Sequence, residues 1–247
     1  MLSVMKRRTM VGVAAAALVI LAIAGGAYAY YFSGLRTAPR PLALASPQSS
    51  QTRQTSAATV ASGLAGTWSA GSGSVAGYRV SEQFAGQSST HEAVARTSEV
   101  TGGFVAQETS GGYQLSGVKI AVQLTSLQSV DQVAGFNVTQ RDRIVQRALD
   151  AQQYPDAVFR ASGVTAPSTI AGGQTVTLQV PGQLTIHGTT KDVMASVRAH
   201  TTATGLETAG SIAVTMTDFG INPPQVPITT VQPQVTIEFQ IELAKAG

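Results

Sequence analysis

Val235-Thr236-Ile237-Glu238-Phe239-Gln240-Ile241-Glu242-Leu243 alternates without a break. Val235, Ile237, Phe239, Ile241 and Leu243 fall on one face, and Thr236, Glu238, Gln240 and Glu242 on the other. A period of two marks a strand with one buried and one wetted face. The same pattern runs back through the chain. Ile212, Val214 and Met216 share a face, as do Val193, Ala195, Val197 and Ala199. So do Leu184 and Ile186, then Val176, Leu178 and Val180, then Val118, Ile120, Val122 and Leu124. Further up, Ala76, Tyr78, Val80 and Phe84 share a face with Glu82, while Arg79, Ser81 and Gln83 point the other way.

Turn signals separate these runs: Thr109 to Gly112, Ala171 to Gly173, His187 to Thr190 and Ala203 to Gly205. The pattern predicts about eight strands, at 74–84, 92–106 (with a bend near Gly102-Gly103), 113–124, 157–164, 174–187, 192–202, 207–217 and 234–243. Alternation rather than continuous apolar runs indicates antiparallel pairing. Many strands joined by short turns read as a barrel or a sandwich. Asn137 to Asp150 departs from the pattern. Val138, Val145, Ala148 and Leu149 recur there at helical spacing, and Tyr154-Pro155 ends the run. One short helix in a β-barrel is expected to cover an open end or an edge. An eight-stranded barrel can be filled by its own side chains or can hold one small ligand, and alternation does not decide which.

The N-terminal quarter reads differently. Residues 1–9 carry Lys6, Arg7 and Arg8 and are expected to be cytoplasmic. Met10 to Phe32 is uncharged over 23 residues, long enough for a helix to cross a ~30 Å hydrocarbon core. Tyr28, Tyr30 and Tyr31 cluster at its outer end, where amphipathic rings prefer the interface. The expectation is a single-pass signal anchor with the C-terminal domain outside the membrane. A cleaved signal peptide is the alternative, because Ala27-Tyr28-Ala29 has a small-x-small pattern, and it would release a secreted domain. The length of the apolar run favours the anchor. Residues 33–65 are rich in Pro, Ser, Thr, Gln and Ala and read as a disordered linker. Residues 66–247 form the folded domain.

Charge distribution narrows the function. The pI of 9.4 comes from six basic residues before position 60. From Gly66 onward ten Lys and Arg face thirteen Asp and Glu, a formal charge of −3. Nucleic acid is therefore not an expected partner. The chain has no cysteine, which excludes disulfides, thiolate nucleophiles and Cys-ligated metals. His91, His187 and His200 lack paired metal-ligand spacing, and no Gly-x-Ser-x-Gly elbow or phosphate loop is present. His187 reads as a turn histidine bonded to backbone. The reading is a non-enzymatic protein with no catalytic residue, no cofactor and no metal.

The motifs resemble the YceI-like family of bacterial proteins from Trp68 to about Leu243. Gly66-Thr67-Trp68 with Ser74 to Val80 is similar to the family's first strand, and Arg96 to Gly102 to its second. Gln140-Arg141-Asp142, followed by Asp150 and Tyr154-Pro155, resembles its Arg-Asp helix and Tyr-Pro turn. Gly182 to Lys191 is the most diagnostic stretch, and Asp218 to Asn222 matches a late turn. Where many relatives have His-Leu after the Arg-Asp pair, this chain has Arg143-Ile144-Val145, and Val130 to Val138 is unusual.

The resemblance implies an all-β, extended eight-stranded antiparallel lipocalin-like barrel with one short helix. With the N-terminal transmembrane helix, this is the expected fold. The resemblance also implies a hydrophobic tunnel for a polyisoprenoid or related lipid. The expected function is binding, storage or transport of such a chain at the outer face of the cell membrane. The alternative is a stress-related or structural surface module with a filled barrel. Expected partners are the lipid, the membrane through the N-terminal helix and, as an open option, a second copy in a homodimer.

Candidate ligand contacts are Tyr78, Val80, Glu82, Phe84, Val118, Ile120, Val122, Phe136, Ile144, Phe159, Leu184, Ile186, Phe219, Ile237 and Phe239. Each could equally be ordinary core. Arg141 and Asp142 are candidates for a headgroup at the tunnel mouth, or else a helix-surface ion pair or backbone cap. Glu82, on an apolar face, needs a partner such as Arg96 or a polar ligand group, or stays protonated.

Overall fold

Period-two patterning of this length leaves each strand one apolar face to bury, and a closed sheet buries them all together. The computed structural model describes residues 37–45, 63–85, 90–133, 137–226 and 229–246. Two compact units divide the chain. The first is Met1–Thr37 with Gln132–Asn137. Within it, Thr37 and Gln132 form an antiparallel bridge and exchange backbone hydrogen bonds of 3.1 and 2.9 Å. The expected membrane span, 10–32, lies outside the described residues. Among those residues no helix is long and apolar enough to cross a membrane.

The second unit, Ala38–Asp131 with Val138–Gly247, contains the barrel. Its strands are β1 (Gly66–Ala70), β2 (Val75–Phe84), β3 (Thr90–Thr97), β4 (Val100–Thr109), β5 (Gly112–Gln123), β6 (Gln128–Ser129), β7 (Asp156–Ala161), β8 (Val164–Pro167), β9 (Val176–Ile186), β10 (Thr189–Thr201), β11 (Leu206–Thr215), β12 (Gln225–Val226) and β13 (Thr229–Lys245). Three pairs act as bent staves: β1 with β2, β3 with β4, and β7 with β8. Counted this way, eight antiparallel staves follow one another around the wall. β13 closes the ring by pairing β1 at its C-terminal end (Trp68 opposite Lys245) and β2 along the rest.

The eight expected strands are present, β1, β6 and β12 fall outside them, and three of the expected runs differ in continuity or length. The 92–106 run breaks at Ser98-Glu99, and Gly103 marks a separate irregularity in the β4–β5 pairing. The 157–164 run divides into β7 and β8, each paired with β5. β13 is longer than 234–243, with a register shift between Val231 and Val235. That shift surrounds Pro233, which has no N–H for the ladder.

The β9–β10 hairpin turns on His187 (φ 53°) and Gly188 (φ 71°), the two positive dihedrals of a tight primed turn. A β-carbon on Gly188 would run into the Tyr154 ring, which meets the His187 ring edge-on at 5.6 Å. His187 Nδ1 donates to the Phe219 carbonyl at 3.3 Å. The turn reading of this histidine is therefore what the structure contains.

Helix α1 (Thr139–Ala148) falls inside the expected 137–150. Gln146 Nε2 donates to the Thr125 carbonyl beside the end of β5. At the opposite end Leu64, Trp68, Phe104, Tyr113 and Ile170 pack together, with the Trp68 and Phe104 rings stacked at 6.4 Å. The domain thus begins before Gly66: Leu64 is 1% exposed, and its carbonyl accepts Trp68 Nε1–H at 2.7 Å.

Residues 38–45, expected to be disordered linker, are extended along the outer wall. Arg79 donates to the Pro39 carbonyl, and Arg96 donates to the Arg40 carbonyl at 2.6 Å. Leu42 N–H donates to Glu238 at 3.2 Å and Ala45 N–H to Glu207 at 2.8 Å. Composition signalled disorder because the segment is too short to bury a core of its own. A wall formed elsewhere in the chain supplies its partners.

Gly103 sits where β4 crosses β1, and a β-carbon there would collide with the Trp68 carbonyl. Gly103→Ala is expected to lower unfolding stability by about 2 kcal/mol or more, because backbone on both sides would have to move. Thermal and urea unfolding of the purified variant measure this.

Candidate functional site

The inward faces of the staves enclose a cavity of about 300 Å³. That lies at the lower end of the range for small-molecule sites. It runs from Leu64, Leu206 and Leu243 at the packed end to Ile186, Phe219 and Ile221 at the helix-bearing end. A filled barrel is therefore not what this sequence builds. The lining is almost wholly aliphatic and aromatic. Among the described residues that line it, the only charged side chains are Glu82 and Arg141, with Tyr78 beside them.

Most expected contacts face this space. Tyr78, Val80 and Glu82 come from β2; Val118, Ile120 and Val122 from β5; and Phe159 from β7. Leu184 and Ile186 come from β9, Ile237 and Phe239 from β13, Ile144 from α1, and Phe219 from the 3-10 turn after β11. Phe84 does not line the cavity. It is the last residue of β2, beyond Glu82, and its ring packs 6.4 Å from that of His91. Phe136 lies outside the described residues. Leu178, Val197, Ile212 and Val214 also line the wall. Their alternation was legible in sequence, but nothing distinguished them from other core residues.

The polar end is held together by contacts far apart in sequence. Arg141 Nη1 donates to Asp131 at 2.7 Å, and Nη2 approaches Glu82 at 3.3 Å. His91 Nε2 lies 2.7 Å from the second Asp131 oxygen, and Val94 N–H donates to the first at 3.1 Å. Arg96 is not the partner of Glu82. It pairs opposite Gly77 and so faces outward, where it bonds Glu238. Asp142 does not reach the cavity either. It accepts from the Ser129 N–H at 2.9 Å and hydroxyl at 2.6 Å, tying α1 to β6. Asp131 had no sequence signal beyond being a lone acid in an unpatterned stretch.

Burial and charge set the protonation pattern. Burial raises the Glu82 carboxyl, and Arg141 only partly offsets this. Burial also pushes up the Tyr78 phenol. Burial acts the same way on Asp131, but hydrogen bonds from His91, Arg141 and Val94 outweigh it and hold the carboxyl at about 2. Burial works against the Arg141 charge, yet the Asp131 bond and the two carboxylates keep it above its ordinary value. Arg141 is thus matched by Asp131, and Glu82 is the group nearest neutrality.

Among the described residues no group of three or more His, Asp or Glu could hold a metal ion. His187 and His200 lie in separate places, bonded to Phe219 and paired with Glu207 at 3.6 Å respectively.

The YceI-like domain profile matches residues 68–243. This chain belongs to the YceI-like family. The match begins at Trp68 in β1 and ends at Leu243 in β13, so it covers the whole ring of staves. Solved structures similar to it include a polyisoprenoid-binding domain from Saccharophagus degradans implicated in plant cell wall breakdown. The two are 14% identical with a TM-score of 0.49, covering 72% of this chain and 98% of that one. Burkholderia cenocepacia BcnA is 19% identical with a TM-score of 0.43, covering 68% and 96% respectively. The Campylobacter jejuni YCEI protein is 17% identical with a TM-score of 0.35, covering 56% and 79%. No curated protein sequence matches the chain.

Asp131 stabilises the fold when ionised. Its contribution is complete above about pH 4, the ordinary aspartate range, and is lost as pH falls from there toward 2. Asp131→Asn should flatten this acid limb by on the order of 2 kcal/mol. Glu82 acts in the opposite sense: its neutral form favours the fold, so stability declines as pH rises through its raised value. Glu82→Gln should remove that decline. Urea unfolding between pH 2 and 7 checks both.

Proposed function

We propose that the protein binds one long apolar lipid of the polyisoprenoid class, with the chain in the barrel and its polar end at Tyr78, Glu82 and Arg141. The observation that carries this reading is the cavity itself, apolar along its length and polar only near α1. Apolar contact at ~25 cal/mol per Å² supplies ample affinity from a few hundred Å² of chain. Selectivity for chain detail should accordingly be loose.

The headgroup favoured at the polar end is uncharged. Arg141 already has Asp131, so a phosphate would find no unmatched cation and would face Glu82. A carbonyl or hydroxyl could accept from Arg141 and exchange hydrogen bonds with Glu82 and the Tyr78 hydroxyl. The protein stores or carries the lipid rather than transforming it.

The site of action is the outer face of the cell membrane. Support comes from the 23-residue apolar run, its basic N-terminal flank and its tyrosine-rich outer end. Cleavage after Ala29 would instead release a secreted domain. Mass measurement of the N-terminus in membrane and medium fractions distinguishes the two fates.

Organic extraction of the purified full-length chain, followed by mass spectrometry, should recover a long-chain lipid at near one per protein. Leu178→Trp, which fills the lumen, should abolish that recovery. Glu82→Gln should weaken uptake of an uncharged polyprenol about fivefold, the effect of one hydrogen bond, without lowering the unfolding midpoint. Extracts without lipid, or binding unaffected by the tryptophan, would count decisively against a carrier.

A further inference from the structure

We infer that Leu64 is the floor of the cavity and fixes the longest apolar chain the barrel admits. The inference deepens the lipid reading above and rests on it.

Leu64 is an outlier in the wall. It belongs to no strand, and it precedes Trp68, where the family match begins. Its side chain nevertheless lines the cavity and is 1% exposed. An apolar residue ahead of the first strand has no sheet ladder to direct it, so other contacts hold it in place. Gly63 (φ 44°) and Gly66 (φ 132°) flank it, and their positive dihedrals fold the chain back over the barrel end. The Trp68 indole N–H then donates to the Leu64 carbonyl at 2.7 Å, away from solvent.

The floor has a second half. Ile170, from the 3-10 turn Ser168–Gly172, also lines the cavity and is 2% exposed. Thr201 Oγ1 donates to its carbonyl at 2.8 Å. Phe104, Leu115, Leu206 and Leu243 fill the space around the two residues. Trp68 and Tyr113 belong to the same packed cluster but do not line the cavity, and the Trp68 ring stacks on Phe104. A packed layer therefore closes this end, with a second layer behind it.

A chain seated with its polar end at Tyr78, Glu82 and Arg141 directs its tail toward this floor. Each added isoprene unit gains apolar contact until the tail touches Leu64. One further unit must displace packed side chains or unseat the polar end. Overpacking a dense interior is costly because it forces side chains off their rotamers. Affinity thus climbs with length and then drops, an asymmetry that apolar contact alone does not produce. Unsaturation and branching along the wall are read loosely; length is read at the floor.

The test is pairwise competition between all-trans polyprenols of increasing length, from farnesol upward, for the delipidated full-length protein, read by native mass spectrometry. Affinity should rise with each unit and then fall about tenfold one unit beyond the best length. Leu64→Ala should move the drop about one isoprene unit longer. Leu64→Phe should move it about one unit shorter, and Leu64→Met, similar in volume, should leave it in place. Opposite shifts separate a floor from a destabilised barrel, which would weaken every length alike. Should Leu64→Ala fail to fold, Leu64→Val takes its place. A polyprenol brominated at its far end should quench Trp68, the chain's one tryptophan, because the tail ends one layer away.

Affinity that climbs without a drop would overturn the inference and leave lipid binding standing. So would a drop that keeps its place in both Leu64→Ala and Leu64→Phe. A bound brominated chain that leaves Trp68 emission unchanged would also overturn it. Protein that takes up no polyprenol of any length would refute the lipid reading, and the floor with it.

Discussion

Closure of the sheet through β13 is the constraint on which the rest depends. One strand pairs β1 near its end and β2 along its length, so the ring has no free edge along that seam. Closure forces every inward side chain toward a common axis. Because those side chains are Val, Ile, Leu, Ala and Phe of moderate size, they leave an apolar lumen. Gly103 and Gly188 matter because backbone or ring atoms approach them closely at the places where the ring is stitched or turned.

The charged groups are organised by the same geometry. At the helix-bearing end, burial would expel Asp131, Glu82 and Arg141 if each stood alone. Together they satisfy one another, and His91 and the Val94 N–H complete Asp131. The arrangement holds α1 across the end of the cavity through polar contacts at its N-terminal half, while Ile144, Val145 and Ala148 face the lumen. The helix joins the wall by ion pairs and lines the cavity with apolar side chains. A second charged cluster, Arg79 with Glu92, Arg96 and Glu238, lies on the outer face. Burial there is tolerated because carbonyls and an N–H of residues 38–45 take up the remaining hydrogen-bonding capacity.

A lumen walled this way offers apolar contact along its length and polar groups at one end only. Apolar contact is non-directional, whereas hydrogen bonds at the polar end have direction. There Arg141 bonds Asp131 and approaches Glu82, so its charge is already matched within the protein.

The sequence by itself determined the strands, their antiparallel pairing, the position of α1 and most of the inward face. These follow from local periodicity, which each segment carries alone. Tertiary structure alone decided that the interior is a cavity rather than a filled core, because that depends on how far opposite walls stand apart. It also decided the partners of Glu82 and Glu238. Alternation says which face a side chain takes but not what lies beyond it: Arg141 is 59 residues from Glu82, and Leu42 is 196 residues from Glu238. For the same reason residues 38–45 read as linker. Their order comes from a surface assembled out of β2, β3, β11 and β13, which no window of neighbouring residues contains.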